Sequence, residues 1–159
     1  NVTDMNHMFT CCFKFDSYLN DWNVSNVTNM AHMFSKCYEF NQDIGNWEVD
    51  NVTDMNHMFY ETKNFNRYIG EWKVDNVKNM GHMFCKSRYF NQDISYWNVS
   101  KVKNMEFMFF HTDNFDMDIG KWDVKNVTNT GNRKPPDVID FIANVDFSSE
   151  YLAMLSCFL

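Results

Sequence analysis

Four histidines recur at a fixed interval and are the residues in this sequence whose spacing best suits chemistry. They stand 25 residues apart: His7, His32, His57 and His82. If successive repeats stack at the spacing of β-strands, the four imidazoles form a ladder with rungs about 5 Å apart, close enough for two of them to share a zinc or nickel ion. Asp4 and Asp54 stand three residues before a histidine and would supply a carboxylate ligand.

The same four positions have a structural interpretation, which we favour. Each histidine follows a small or polar residue and precedes an apolar pair such as Met33-Phe34, a pattern typical of a half-exposed corner. Neutral rings at such a corner would stack or bond main-chain carbonyls, and protonation near pH 6 would strain the ladder because neighbouring like charges repel. We therefore predict no metal and no cofactor, and keep a metal-binding module on the histidine ladder as an alternative.

Catalytic motifs are absent from the sequence. There is no G-x-S-x-G nucleophile elbow, no glycine-rich phosphate loop and no H-E-x-x-H metalloprotease helix. Acidic and amide residues do recur at one phase, as Asn41, Asn66 and Asn91 do, but such residues satisfy main-chain groups at tight bends. We predict that the protein is not an enzyme.

The histidines belong to a 25-residue repeat that runs through most of the chain. Tryptophan marks its phase five times, at Trp22, Trp47, Trp72, Trp97 and Trp122. A fixed period of this length is typical of stacked repeats, in which each unit buries its apolar face only against its neighbours. Columns of Trp, Val, Met, Phe and Ile predict the core of such a stack.

Within one unit the spacing of the apolar residues changes. Ile44, Trp47 and Val49 fit the L-x-x-L-x-L start of a leucine-rich repeat, and the last two alternate as a short strand does. After a bend at Asp50-Asn51, apolar residues from Val52 to Phe59 recur mainly at every third position, which predicts helical or 3₁₀ turns. The predicted fold class is a leucine-rich-repeat-like β-solenoid of short parallel strands and helical or 3₁₀ turns.

The repeat has two visible limits. The chain starts in mid-repeat, with Asn1-Val2-Thr3 matching Asn26-Val27-Thr28, which predicts a fragment of a longer protein. The repeat phase stops at Thr130, and a Gly-Asn-Arg-Lys-Pro-Pro break follows. We predict a five-turn repeat domain over residues 1–132 and a non-repeat C-terminal cap or tail over residues 133–159, with short helices.

Composition narrows the class of partner. The net charge is −7, whereas phosphate binding needs a basic stripe, so nucleic acid is not expected. No apolar run approaches about 18 residues, so this segment is not expected to insert into a membrane. The five cysteines lack a C-x-x-C spacing, and Cys12 and Cys37 share their column with Thr or Ser in later repeats, which favours packing over a disulfide.

The columns that vary between repeats are those that the scaffold does not dictate. They flank each inward tryptophan and follow the next valine, positions that point outward from a strand. We predict that these residues form a ligand-binding face: Asn46, Glu48, Asp50, Glu71, Lys73, Asp75, Tyr96, Asn98, Lys121 and Asp123. Repeat proteins use such extended faces for binding. A second variable patch, at Tyr60-Glu61, Lys86 to Tyr89 and Phe110-His111, would serve partners or cover the edge of the core.

The sequence motif from Trp22 to Ile44 resembles a known repeat. It reads W-x-V-S-N-V-T-N-M-x-x-M-F-x-x-C-x-x-F-N-x-D-I. It is similar to the 25-residue unit of BspA-like leucine-rich-repeat surface proteins, including mycoplasma-type surface lipoproteins, over Asn1 to about Asn129. The resemblance implies a right-handed solenoid, an extracellular or cell-surface location and a role in adhesion or host contact, and it brings no catalytic residues. Tyr18 and Tyr68 depart from the pattern, which carries Asp at that position.

Pattern and resemblance together predict a non-catalytic cell-surface repeat scaffold that recognises a protein or glycan on a host or neighbouring cell through the variable face. The alternative is a structural spacer that holds another domain away from a surface. Charge swaps at Glu48, Lys73 and Asp123 would change an interaction only under the first interpretation.

Overall fold

The computed structural model describes residues 2–130, in which consecutive 25-residue units form coils that pack one on the next. In this range there is no helix and no strand longer than a single bridge, and the coils consist of turns joined by extended segments. Isolated parallel bridges link consecutive coils at one phase: Asp4↔Asn29, Asn29↔Asp54, Asp54↔Asn79, Asn79↔Asn104 and Asn104↔Asn129. The predicted cap over residues 133–159 lies outside the described residues.

Main-chain hydrogen bonds between coils concentrate in the segment that carries the histidine. In the coil that contains His32, alternate N–H groups donate to carbonyls of the next coil along the chain over 2.7–2.9 Å. The donors are Met30, His32, Phe34 and Lys36. The N–H groups between them donate within their own coil: Met33 to the Met30 carbonyl, Ser35 to the His32 carbonyl and Ala31 to the Asn29 side-chain oxygen. The predicted helical or 3₁₀ turns therefore differ from what is found, because every second N–H group leaves the coil for its neighbour.

Left-handed backbone explains why no helix forms there. His32 has a φ of 58° and Lys36 has a φ of 62°, and the equivalent residues of the other coils share this conformation. Regular helix needs negative φ at consecutive residues. None of the ten residues in these two columns is β-branched, and four are the histidines of the ladder. Since histidine is among the residues enriched in left-handed backbone, the conformation itself favours histidine at this corner.

The stretch around each tryptophan alternates as a strand would but lacks a strand's main-chain ladder. Trp47 and Val49 are buried while Asn46, Glu48 and Asp50 are exposed. Within the described coils, no main-chain hydrogen bond joins residues 45–51 to a neighbouring coil. Side chains make the connection instead: the indole Nε1–H of Trp47 donates to the Leu19 carbonyl over 3.1 Å. The short strand predicted here is thus an extended segment held by side chains.

The core consists of aromatic ladders that run through the stack. Two phenylalanine columns are fully buried in the middle coils, with members Phe34, Phe59, Phe84 and Phe40, Phe65, Phe90. Rings of one column lie nearly parallel in successive coils, with centroids 5.7 Å apart between Phe34 and Phe59. Within one coil the two columns stack more closely, with centroids 4.0 Å apart between Phe34 and Phe40. This interlocked stack fixes the register of the coils and therefore of the surface columns.

Polar columns bind each coil to the previous one. In the column of Cys37, a side-chain donor reaches a main-chain carbonyl 28 residues back: Cys37 to Phe9 over 3.0 Å and Thr62 to Phe34 over 2.7 Å. Thr, Ser and Cys therefore replace one another here because each can donate to that carbonyl. All four cysteines of the described range, Cys37 among them, are free thiols. The asparagine column acts similarly, since the Asn66 N–H donates to the Asn41 side-chain oxygen over 3.0 Å.

Candidate recognition face and histidine ladder

The Trp-flanking face is the surface formed by the residues that flank each tryptophan and follow the next valine. Every one of its ten predicted binding residues is exposed: Asn46, Glu48, Asp50, Glu71, Lys73, Asp75, Tyr96, Asn98, Lys121 and Asp123. Their direction is set by the buried columns between them, since Trp72 and Trp97 are each 3% exposed. The fold therefore brings these residues onto one continuous surface.

Side chains of neighbouring coils pair across the Trp-flanking face. Lys73 Nζ lies 3.6 Å from Asp50 Oδ2, and Asn98 Nδ2 donates to Asp75 Oδ1 over 2.7 Å. The Lys73–Asp50 pair is well exposed, so its contribution to the free energy of unfolding is small. These contacts orient the side chains of the face without removing them from water.

The face is acidic. Its ten residues include five carboxylates and two lysines, giving a net charge of −3 for the set. Fields of one sign over a surface steer oppositely charged ligands toward it. The polarity and charge of this surface suit a hydrogen-bonding or cationic ligand better than an apolar one.

A tyrosine and carboxylate cluster lies at the centre of the face. The Tyr68 hydroxyl donates to Glu71 Oε1 over 3.0 Å, and Tyr96 of the next coil is 84% exposed. The hydrogen bond to Glu71 raises the pKa of Tyr68, and the nearby Asp93 and Tyr96 raise it further. Sequence reasoning did not place Tyr68 or Asp93 on the face, although the change from Asp to Tyr in their shared column was the signal that could have found them.

The histidines form the second candidate site, a stack of four rings, of which His7 is exposed and the other three are half-buried. Ring centroids lie 4.3 Å apart for His7–His32, 4.5 Å for His32–His57 and 4.4 Å for His57–His82. Successive ring planes lie 10–20° from parallel. Phe107 continues the column with its ring centroid 5.4 Å from that of His82.

This stacked geometry is unsuited to a shared metal ion. The lone pair of an imidazole nitrogen lies in the plane of its ring, and zinc binds such a nitrogen at about 2.0–2.1 Å. A metal in the plane of one ring is therefore about 4 Å out of the plane of the next. Within residues 2–130, no three or more His, Cys, Asp or Glu side chains group in a way that could hold a metal.

Burial and mutual repulsion disfavour the charged form of the stacked rings. Burial lowers the pKa of His57 to about 4, with further lowering by His82, His32 and His7. Burial likewise lowers the pKa of His32 and of His82. His57 Nδ1 lies 2.6 Å from Asn56 Oδ1, whereas His82 Nδ1 is buried and has no hydrogen-bond partner.

In the second variable patch, Lys86 contacts both Tyr60 and Glu61. Lys86 Nζ lies 3.1 Å from Glu61 Oε1 and 5.7 Å from the ring centroid of Tyr60. One coil away, Lys63 Nζ lies 4.3 Å from the ring centroid of Tyr38. The Tyr60 ring therefore already contacts a cation, whereas Tyr89 of the same patch is 49% exposed.

Comparison with known proteins gives one family. The family model described as "Mycoplasma protein of unknown function, DUF285" matches residues 1–84 and 44–133. No curated protein and no solved structure matches the chain. Among the residues that the structure describes, no helix combines the length and the apolar character needed to cross a membrane.

Proposed function

The chain belongs to this repeat family of Mycoplasma proteins, and on that premise we propose that it is a non-catalytic repeat scaffold that recognises a protein or glycan through its Trp-flanking face. The cell-surface location and the role in adhesion or host contact are part of the proposal. Their support is the resemblance of the repeat phrase to BspA-like surface proteins and mycoplasma-type surface lipoproteins.

One observation carries the proposal: ten side chains that vary from coil to coil all lie exposed on one surface. Columns that build the core hardly vary, because burial dictates the residue type. In contrast, the column before each tryptophan changes from Asn46 to Glu71, Tyr96 and Lys121, and packing requires none of these. Extended faces of this kind are the usual binding surfaces of repeat proteins.

The class of the fold is also a proposal. We infer a right-handed solenoid of leucine-rich-repeat type, supported by the L-x-x-L-x-L spacing at Ile44, Trp47 and Val49 and by the coil-to-coil hydrogen bonds of residues 2–130. We propose right-handed coils because parallel connections between strands in proteins are overwhelmingly right-handed. A crystal structure of the chain would test it directly, and left-handed coils would end this part of the proposal.

A structural spacer is the second candidate, and the contacts on the face favour it. The Lys73–Asp50 and Asn98–Asp75 pairs satisfy several polar groups of the face within the molecule. A surface that has no partner would gain from such internal pairing. The spacer therefore predicts a face whose charges can be exchanged without changing any interaction.

A binding screen separates the two candidates. The chain would be tested against immobilised matrix proteins, host-cell glycans and itself, beside the variant Glu48→Lys/Lys73→Glu/Asp123→Lys. A matched control, Glu39→Lys/Lys103→Glu/Asp113→Lys, makes the same change in net charge at exposed positions outside the face. A ligand that is lost in the first variant and kept in the control would support recognition through this face. No ligand at all, or equal binding by all three proteins, would favour the spacer.

A further inference from the structure

The histidine ladder is a stack of titratable rings that runs through four successive coils. Its rings stack with centroids 4.3–4.5 Å apart, and each ring belongs to a different coil. A stack of neutral rings is stable at this distance, whereas two charged neighbours repel strongly when partly buried. The charge state of the ladder therefore bears on how closely the coils pack at this corner.

Few negative groups are placed to offset charge on the rings. Asp54 is the carboxylate that acts on His32, and Glu106 is the one that acts on His82. Both are already engaged: Asp54 Oδ1 accepts from the Asn56 N–H, and Glu106 Oε2 accepts from Asn129 Nδ2.

The remaining groups that face the rings offer no compensation. Besides the other imidazoles, they include the Tyr60 ring, whose centroid lies 5.1 Å from that of His57, and the Phe107 ring beyond His82. The Nδ1 atoms of His7 and His57 lie 3.1 Å from Thr10 Oγ1 and 2.6 Å from Asn56 Oδ1. None of these four side chains carries a negative charge near neutral pH. Two carboxylates thus act on the three rings of His32, His57 and His82.

The ladder is also coupled to the main chain that joins the coils. The His32 N–H donates to the Asn56 carbonyl of the next coil over 2.8 Å, and the His57 N–H donates to the Gly81 carbonyl over 2.9 Å. The His32 carbonyl in turn accepts from Thr10 Oγ1 of the previous coil over 2.7 Å. Separation of two rings would therefore lengthen the hydrogen bonds that hold one coil to the next.

We propose that the histidine ladder is an acid-sensitive element of the stack, neutral and closed at neutral pH, and that protonation of neighbouring rings in mildly acidic solution loosens the coils at this corner. The sign follows from linkage. Three rings have a folded-state pKa below the ordinary value near 6.5, that of His57 about 4, so the unfolded chain binds more protons between these values. Stability is then complete above about pH 6.5 and is lost as the pH falls toward 4.

Phenylalanine is the substitution that tests the proposal. Phe107 already occupies the histidine column in the coil after His82, and its ring carries no titratable group. In the variant His32→Phe/His57→Phe the rings remain and the inner two charges cannot form. We expect the Tm of the unaltered chain to fall by about 5–10 °C between pH 7 and pH 5, and that of the variant to fall by less than half as much. The control His111→Gln removes the one histidine outside the ladder and should behave as the unaltered chain does.

Equal falls in Tm for the unaltered chain and the double phenylalanine variant would overturn the proposal. If the variant fails to fold at pH 7, an NMR titration of the imidazole protons in the unaltered chain decides instead. Titration midpoints well below 6.5 for His32, His57 and His82 would support the proposal, and ordinary midpoints would end it.

Discussion

The indole Nε1–H of Trp72 donates a hydrogen bond over 3.1 Å to the main-chain carbonyl of Ile44, 28 residues earlier in the sequence. The same carbonyl accepts the Trp47 N–H, which closes a turn within its own coil. One oxygen thus uses both of its lone pairs, one inside the coil and one toward the next coil. The Phe34 carbonyl repeats this arrangement with the Cys37 N–H and Thr62 Oγ1. Buried carbonyls that accept from two donors therefore connect each coil to the next.

Trp72 should be among the most costly residues to truncate. We expect Trp72→Ala to lower the free energy of unfolding by about 3–5 kcal/mol, since it leaves a cavity in a fully packed ladder. Trp72→Phe keeps part of the ring and loses the hydrogen bond to Ile44, which alone contributes about 0.5–1.5 kcal/mol. Urea unfolding of both variants measures the difference. A Trp72→Ala chain as stable as the parent would contradict the buried tryptophan ladder.

The hydroxyl of Thr62 should matter more than its shape. Thr62→Val keeps the volume but leaves the Phe34 carbonyl with one donor, so we expect a loss of about 1 kcal/mol in the free energy of unfolding. Thr62→Ser keeps the donor, as Ser87 does in the next coil, and should be the milder change. Thermal unfolding of the two variants side by side is the measurement. The reverse order of stability would show that packing alone governs this column.

Left-handed backbone at Lys36 makes β-branched residues unfavourable there. Its φ is 62°, a conformation that is strained for a β-branched side chain and free for glycine. We expect Lys36→Val to lower the free energy of unfolding by about 1–2 kcal/mol and Lys36→Gly to be close to neutral. Circular dichroism followed during chemical unfolding would rank them. Equal stability of the two variants would argue against the left-handed conformation.

The described cysteines should differ in reactivity toward alkylating reagents. Burial raises the pKa of Cys37 and of Cys85 to about 12, so both remain protonated thiols at pH 8 and react slowly. Cys11 and Cys12 are exposed and should be labelled first. Iodoacetamide labelling followed by peptide mass spectrometry compares the four sites, with urea-unfolded protein as the control in which all react. Rapid labelling of Cys37 in the folded chain would contradict its burial.

The sequence by itself determined which positions are equivalent, because a strict 25-residue period leaves only one register. From that register follow the buried columns, the shared column of Cys37 and Thr62, and the alternation that places Glu48 and Lys73 on the outside. Burial depends on residue type, and residue type is visible in the sequence.

Only the tertiary structure decided how the coils are joined. Apolar residues at mainly every third position suggested helical or 3₁₀ turns in the histidine segment, but positive φ at His32 and Lys36 sends alternate N–H groups to the next coil instead. The tertiary structure also decided that the Trp47 indole, in place of a main-chain ladder, joins its segment to the previous coil. It likewise placed the Tyr68 hydroxyl beside Glu71. The physical reason is that the direction of an N–H group or a hydroxyl depends on backbone angles and on the neighbouring coil, and neither is encoded in the period.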